Sequence, residues 1–196
     1  IENAGGNNDT LAITAVNRDD YCIHINDEIC HQLPASFAQR RQWFIHQFGS
    51  SLGAYNVPLI RKLSGVVDIP SLIKSLGVIS QRHDVLRTHF QQQEDEIVQI
   101  IRPTIELPVS IENIPETLQK LEGISFEQAV HHYVDEKRLQ VFDLEHGPLW
   151  QVTLTQVAEN EYIFIVNMHH IITDGWSMSI FFEEMCEIYN ASLESR

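Results

Sequence analysis

From about residue 33 onwards, apolar residues recur in stretches of helical and of strand-like period, and the changes of period mark out the elements. Ser36-Phe37-Ala38-Gln39 has capping-box spacing, and Phe37, Arg41, Phe44, Ile45 and Phe48 follow on one stripe, which predicts a helix over about 36–48. Residues 49–53 break it, and residues 55–63 read as a strand whose Pro58 places it at an edge or an irregularity. Asp68 is the expected N-cap of a second helix, with Pro70 in its first turn and Ile69, Leu72, Ile73, Leu76 and Ile79 at helical spacing. Two strand-like runs, one ending at Gln93 and one over 96–101, predict a hairpin across a polar turn, and residues 107–111 add a short strand.

The second half repeats the alternation. Ser125 and Gln128 form another capping box ahead of the stripe Phe126, Ala129, Val130, Tyr133 and Val134. Trp150, Val152 and Leu154 share one face of a strand over 149–157, and a turn at 158–161 leads into the nearly continuous apolar run 162–168, as in a strand covered on both faces. Met178, Phe181, Phe182, Met185, Ile188 and Tyr189 lie on one broad face of a closing helix and are expected in the core. No internal repeat is present. Helices and strands alternate irregularly, which favours an α/β fold of the layered α+β sandwich type over a regular doubly wound sheet. Residues 1–32 are expected to be a linker or partly disordered segment, and 33–196 the folded unit.

The totals narrow the function. A length of 196 residues with 43% hydrophobic content supports one sizeable core or two small ones. A formal charge of -14 argues against nucleic acid as a partner, since phosphate-tracking proteins carry a basic patch. No stretch is long and apolar enough for a membrane span, and the first residues lack a signal-peptide pattern, so a cytoplasmic setting is expected. Cys22, Cys30 and Cys186 match no zinc or redox spacing and read as free thiols. The chain begins at Ile1, which suggests a piece of something longer.

Chemistry concentrates at His169-His170-Ile171-Ile172-Thr173-Asp174-Gly175. Successive side chains on a strand point to opposite faces, so only one of the two histidines is expected to face a reacting centre. A histidine titrating near neutrality beside a helix start supplies a proton acceptor and N–H donors for a developing oxyanion, the requirements of acyl transfer. Gly175 permits a tight backbone path or the close approach of a ligand. Asp174 either orients His170 or braces the loop by pairing with a distant arginine, Arg82 or Arg87. A metal site of His169, His170 and Asp174 is disfavoured, because adjacent strand histidines diverge and the HExxH spacing is absent. Ser177 lacks the GxSxG elbow of a nucleophile, and His131-His132 reads as a solvated helix face.

Four ordered motifs make the chain resemble the condensation domains of nonribosomal peptide synthetases. Ser36-Phe37-Ala38-Gln39-Arg40-Arg41-Gln42-Trp43 is similar to SxAQxRxW, with Ala54-Tyr55-Asn56-Val57-Pro58 after it, and Arg82-His83-Asp84-Val85-Leu86-Arg87-Thr88-His89-Phe90 to RHExLRTxF. Phe142-Asp143-Leu144-Glu145-His146-Gly147-Pro148-Leu149 resembles FDLxxGPL, and Met168 to Ser177 matches MHHxxxDGxS. Gln42 and Asp84 depart from the usual Leu or Met and Glu.

The resemblance implies the N-terminal, chloramphenicol-acetyltransferase-like half of a condensation domain, without its C-terminal subdomain. It implies amide formation between donor and acceptor thioesters, the donor L-configured, on phosphopantetheine arms of two peptidyl carrier proteins, beside an adenylation domain. No directly bound cofactor or metal is implied. His170 is carried over as catalytic, acting as base or positioner, with Gly175 at the reacting centre, Asp174 structural and paired with Arg82, and His169 holding shape. An epimerisation domain shares HHxxxDG, but there a Val-Ser-Trp-Arg-like segment commonly follows, whereas Trp176-Ser177-Met178-Ser179 stands here. Intact His170, Asp174 and Gly175 argue against a third reading, a lobe that only docks carriers.

Overall fold

The computed structural model describes residues 17–48, 53–113 and 125–194. The expected break over residues 49–53 falls mostly outside them, as does the polar segment before residue 17.

Folding starts earlier than the hydrophobic pattern suggests. Asn26 and Asp27 adopt left-handed φ values of 49° and 66°, which is what a two-residue hairpin turn needs, and they join β1 (Cys22–Ile25) to β2 (Glu28–Pro34) in the register Cys22↔His31. The expected linker over 1–32 is thus corrected for its later part: a 3₁₀ turn (Arg18–Tyr21), β1 and most of β2 lie inside it. Only Ile23 and Ile25 alternate ahead of the turn, too short a run to separate from a loop. β2 continues beside β5 (Glu96–Ile101), which pairs with β4 (Thr88–Gln93) in the expected hairpin, giving an antiparallel sheet in the order β1-β2-β5-β4.

A second sheet has the order β3-β8-β7-β6, from β3 (Asn56–Ser64), β8 (Glu161–His169), β7 (Trp150–Ala158) and β6 (Val109–Asn113). β6 alone is parallel to its neighbour. Pro58 lies on β3, an edge strand, where a missing N–H costs no ladder bond. Helices α2 (Ile69–Arg82) and α4 (Gly175–Glu194) cover one face of this sheet, where Leu72, Leu76, Phe181 and Met185 meet Trp150, Leu154, Phe164 and Met168. Helix α3 (Phe126–Arg138) covers the other, with Tyr133 against Val157, Ile163 and Ile165. Both faces of β8 are therefore dry, which explains its nearly continuous apolar run. The architecture is the layered α+β sandwich expected of the sequence.

Caps follow the sequence signals. Asp68 accepts the Ser71 N–H at 2.9 Å at the start of α2, and Ser125 and Gln128 close a capping box on α3; the side chain of Phe126 lies outside the described set. Helix α1 (Phe37–Phe48) carries the Ser36/Gln39 box too, but its aromatic stripe points outward. Phe37 and Phe48 are 86% exposed, and Trp43 is the buried anchor. Period locates a face, but it does not say which face finds a partner.

Candidate active site

Two backbone hydrogen bonds fix the end of β8. The His169 N–H donates to the Leu149 carbonyl at 2.9 Å, and the His170 N–H to the Tyr55 carbonyl at 2.7 Å, so the strands on both sides hold the dipeptide. Strand alternation then separates the rings: His169 is 2% exposed and His170 is exposed.

The two imidazoles differ in chemistry. His169 Nδ1 accepts the Ile171 N–H at 3.1 Å, which places the ring proton on Nε2, a buried atom without a partner among the described residues. The His46 ring stands edge-on to it, with centroids 5.4 Å apart. Burial foremost, then the nearby His46 and His170, pushes the His169 pKa down to about 4, so this ring is neutral at physiological pH. His170 Nδ1 lies 2.7 Å from the Thr173 carbonyl oxygen, which can only accept; Nδ1 therefore carries the proton and Nε2 keeps a free lone pair.

Asp174 caps helix α4. Its carboxylate accepts the Ser177 N–H at 2.8 Å and the Ser177 hydroxyl at 2.7 Å, and its carbonyl accepts the Met178 N–H at 3.0 Å. The Ser177 backbone bond first, and then the hydroxyl, hold the Asp174 carboxyl below the usual range. Ser177 is thereby spent as a cap. Gly175 opens the helix; its φ is not left-handed and a Cβ there would meet nothing within 4 Å. The tight-path reading of this glycine is corrected, and the close approach of a ligand is the reading left.

The expected Asp174–Arg82 pair is also corrected. Arg82 Nη1 lies 3.3 Å from Glu184 Oε2, on α4, and His83 Nε2 lies 2.6 Å from the same oxygen. Asp174 is exposed, and the cap supplies the donors that a buried carboxylate would have sought from an arginine. Arg87 is instead largely enclosed, its side chain 9% exposed and bonded to Asp84 and to the carbonyls of Ser80, Gln81, Arg102 and Pro103. Arg87→Ala should therefore cost about 3–5 kcal/mol by stranding these groups. Arg82→Ala and Asp174→Ala should shift the melting temperature far less. Equal melting shifts for Arg87→Ala and Asp174→Ala would contradict this ordering.

The structure places His170, Asp174 and Gly175 on one short segment at the end of β8, buries His169 and pairs Arg82 with Glu184 instead. The sequence reading missed Tyr55, Thr173 and His46. Tyr55 and Thr173 act through carbonyl oxygens, which every residue type supplies, so no side-chain signal exists for them. A cavity of about 160 Å³ between the loop and α4 is lined by Leu86, Met168, Ile172, Thr173, Ser177 and Phe181. His131 and His132 lie exposed on α3. Among the described residues, no group of three or more His, Cys, Asp and Glu is placed to hold a metal, and no helix is long and apolar enough to cross a membrane.

Two buried histidines set a pH dependence. Burial pushes His89, like His169, down to about 4 from 6.5, so the unfolded chain binds protons there that the folded chain refuses. Their neutral burial is fully compatible with the fold above pH 6.5, and stability is lost as pH falls towards 4, by roughly 2–3 kcal/mol per ring. A urea midpoint that stays constant between pH 7 and 4.5 would contradict this.

A fold of two sheets with an exposed histidine at a strand end and a capped helix start beside it matches a known class. The family described as "Condensation domain" matches residues 29–196, and the chain belongs to it. It is 40% identical over 160 residues to a linear gramicidin synthase protein of Brevibacillus parabrevis, covering 81% of this chain and 2% of that protein. It is 34% identical over 183 residues to malpinin synthetase of Mortierella alpina, covering 92% of this chain and 2% of that one. The starter condensation domain of rhizomide synthetase superposes with a TM-score of 0.72 at 21% identity, over 83% of this chain and 38% of that one. The chain thus spans a few per cent of the synthetases it matches and well under half of that starter domain.

Proposed function

We propose that the chain is the N-terminal half of a condensation domain that joins a donor acyl or peptidyl thioester to an acceptor aminoacyl thioester. The observation that carries this is the His170 ring: its Nδ1–H is anchored on the Thr173 carbonyl, which leaves Nε2 as an exposed acceptor at the strand end. In the proposed reaction the acceptor's amine nitrogen attacks the donor's carbonyl carbon, a C–N bond forms, the C–S bond breaks and the donor thiol leaves. His170 Nε2 orients the amine and takes its proton, which then passes to the departing sulfur. The first-turn N–H of Gly175 is assigned to the oxyanion, and the open space at its Cα gives a substrate room to approach.

His169, Asp174 and Arg82 are assigned supporting roles: His169 fills the strand end, Asp174 caps α4, and Arg82 ties α2 to α4 through Glu184. The substrates are read as phosphopantetheine thioesters on donor and acceptor carrier proteins. A starter condensation domain of the same fold is known in complex with C8-CoA, which supports thioester substrates for the class. An L-configured donor is inferred from the first motif, and a C-terminal half and an adjoining adenylation domain from the relatives.

The test is a pair of incubations with loaded donor and acceptor carriers. The synthetase that carries this chain should release carrier-bound amide product. The 196-residue chain alone should give background, because a site open on one side lacks the enclosure that contributes about 7–11 kcal/mol of barrier lowering. Efficient turnover by the chain alone would overturn the half-domain assignment.

A further inference from the structure

We propose that a second pocket, between the start of β4, the end of β5 and the 143–149 segment, binds a singly charged phosphodiester. The pocket, about 190 Å³, is lined by Arg87, His89, Arg102, Glu106, His146 and Gly147. That volume accommodates a phosphate and the first atoms of its esters. Arg102 makes no ion pair among the described residues, and its Nε–H is buried with no hydrogen-bond partner. His89 is 3% exposed, and its ring makes no hydrogen bond among the described residues either. Buried polar groups are normally bonded, so an unsatisfied guanidinium N–H beside this cavity calls for an acceptor that the described residues do not supply.

An oxyanion supplies it. A guanidinium presents its donors in a fork that matches phosphate oxygens, and the bond to a charged acceptor is the strong kind. Arg87 adds positive charge to the wall but no free donor, being spent on Asp84 and four carbonyls. Gly147, at φ 61°, brings the main chain against His89: a Cβ on this glycine would sit 3.4 Å from the His89 Cβ. Among the lining residues the one carboxylate is Glu106, an exposed residue without an ion pair among the described residues. A lining carboxylate penalises a dianion more than a monoanion, which selects a phosphodiester over a monoester.

The charges facing His89 agree with this. After burial, Arg102 and His146 are what lower its pKa, and Asp143 opposes them; a bound anion would join Asp143 and raise it. The pocket adjoins the site, because Leu86 lines both this cavity and the one under the histidine loop. On the function proposed above, the phosphodiester is the one that links a pantetheine arm to its carrier serine.

The test is an NMR titration of the labelled 196-residue chain with the methyl phosphodiester of phosphopantetheine, with pantetheine, with inorganic phosphate, and with chloride at matched ionic strength. The diester should shift the His89 ring and the Gly147 amide saturably and raise the His89 pKa, with inorganic phosphate weaker and pantetheine and chloride inert. Arg102→Gln should weaken diester binding about 10–100-fold, the loss of one charge-assisted bond. Arg102→Lys should fall between, and an unchanged Trp150 indole resonance certifies both folds. Shifts that survive Arg102→Gln, that chloride reproduces, or that inorganic phosphate produces at least as tightly as the diester would overturn the proposal. No step of this readout is catalytic, so it fails or holds independently of the amide-forming reaction.

Discussion

Replacing His170 with Ala should cut amide formation by about 10²–10⁴-fold while leaving the fold intact, the range expected when a positioned proton acceptor is lost. The ring is exposed, and its one side-chain bond among the described residues, to the Thr173 carbonyl, can pass to water. The unfolding midpoint should therefore stay near that of the unmodified protein. His169→Ala should show the reverse balance. It opens a hole beside His46 and strands the Ile171 N–H, so folded yield should fall before any catalytic effect can be read. A His170→Ala synthetase within a few-fold of full rate would remove this ring from the reaction.

Trp150→Ala should be among the most damaging single changes to stability. Trp150 is fully buried at the first position of β7, its indole N–H donates to the Leu86 carbonyl at 2.8 Å, and its ring meets Phe181 of α4 at 6.2 Å. It therefore joins the second sheet to the segment after α2 and to the helix that begins at Gly175. Truncation should cost about 3–5 kcal/mol, a large share of the roughly 5–15 kcal/mol that a domain has in total. Trp150→Phe keeps most of the packing and strands the Leu86 carbonyl, so its loss should be about 1–3 kcal/mol. Urea unfolding of the three proteins measures both, and a loss below about 1 kcal/mol for Trp150→Ala would contradict this view of the core.

The candidate segment was legible because its parts are sequential. A dry strand, two histidines at its end and a helix start follow one another within a few residues, and strand alternation alone separates His169 from His170. The layered α+β fold was legible for the same reason, since most of its elements carry a clear period. Three things were not. The Asn26-Asp27 hairpin is flanked by strands too short and too polar to announce themselves. The partner of Arg82 is Glu184, on a different helix, and only tertiary packing decides between that carboxylate and Asp174. The exposure of Phe37, Phe44 and Phe48 depends on what lies opposite α1, which the period of α1 does not encode.

The proton that His170 is proposed to handle separates the two enzymatic readings of this fold. Condensation takes it from the acceptor's nitrogen, whereas epimerisation takes it from the donor's Cα. Running the synthetase that carries this chain in deuterated water with loaded donor and acceptor carriers, and analysing the carrier-bound products by mass, distinguishes them in one measurement. The account predicts an amide-linked product whose donor Cα carries no deuterium. Deuterium at the donor Cα with no amide formed would contradict it.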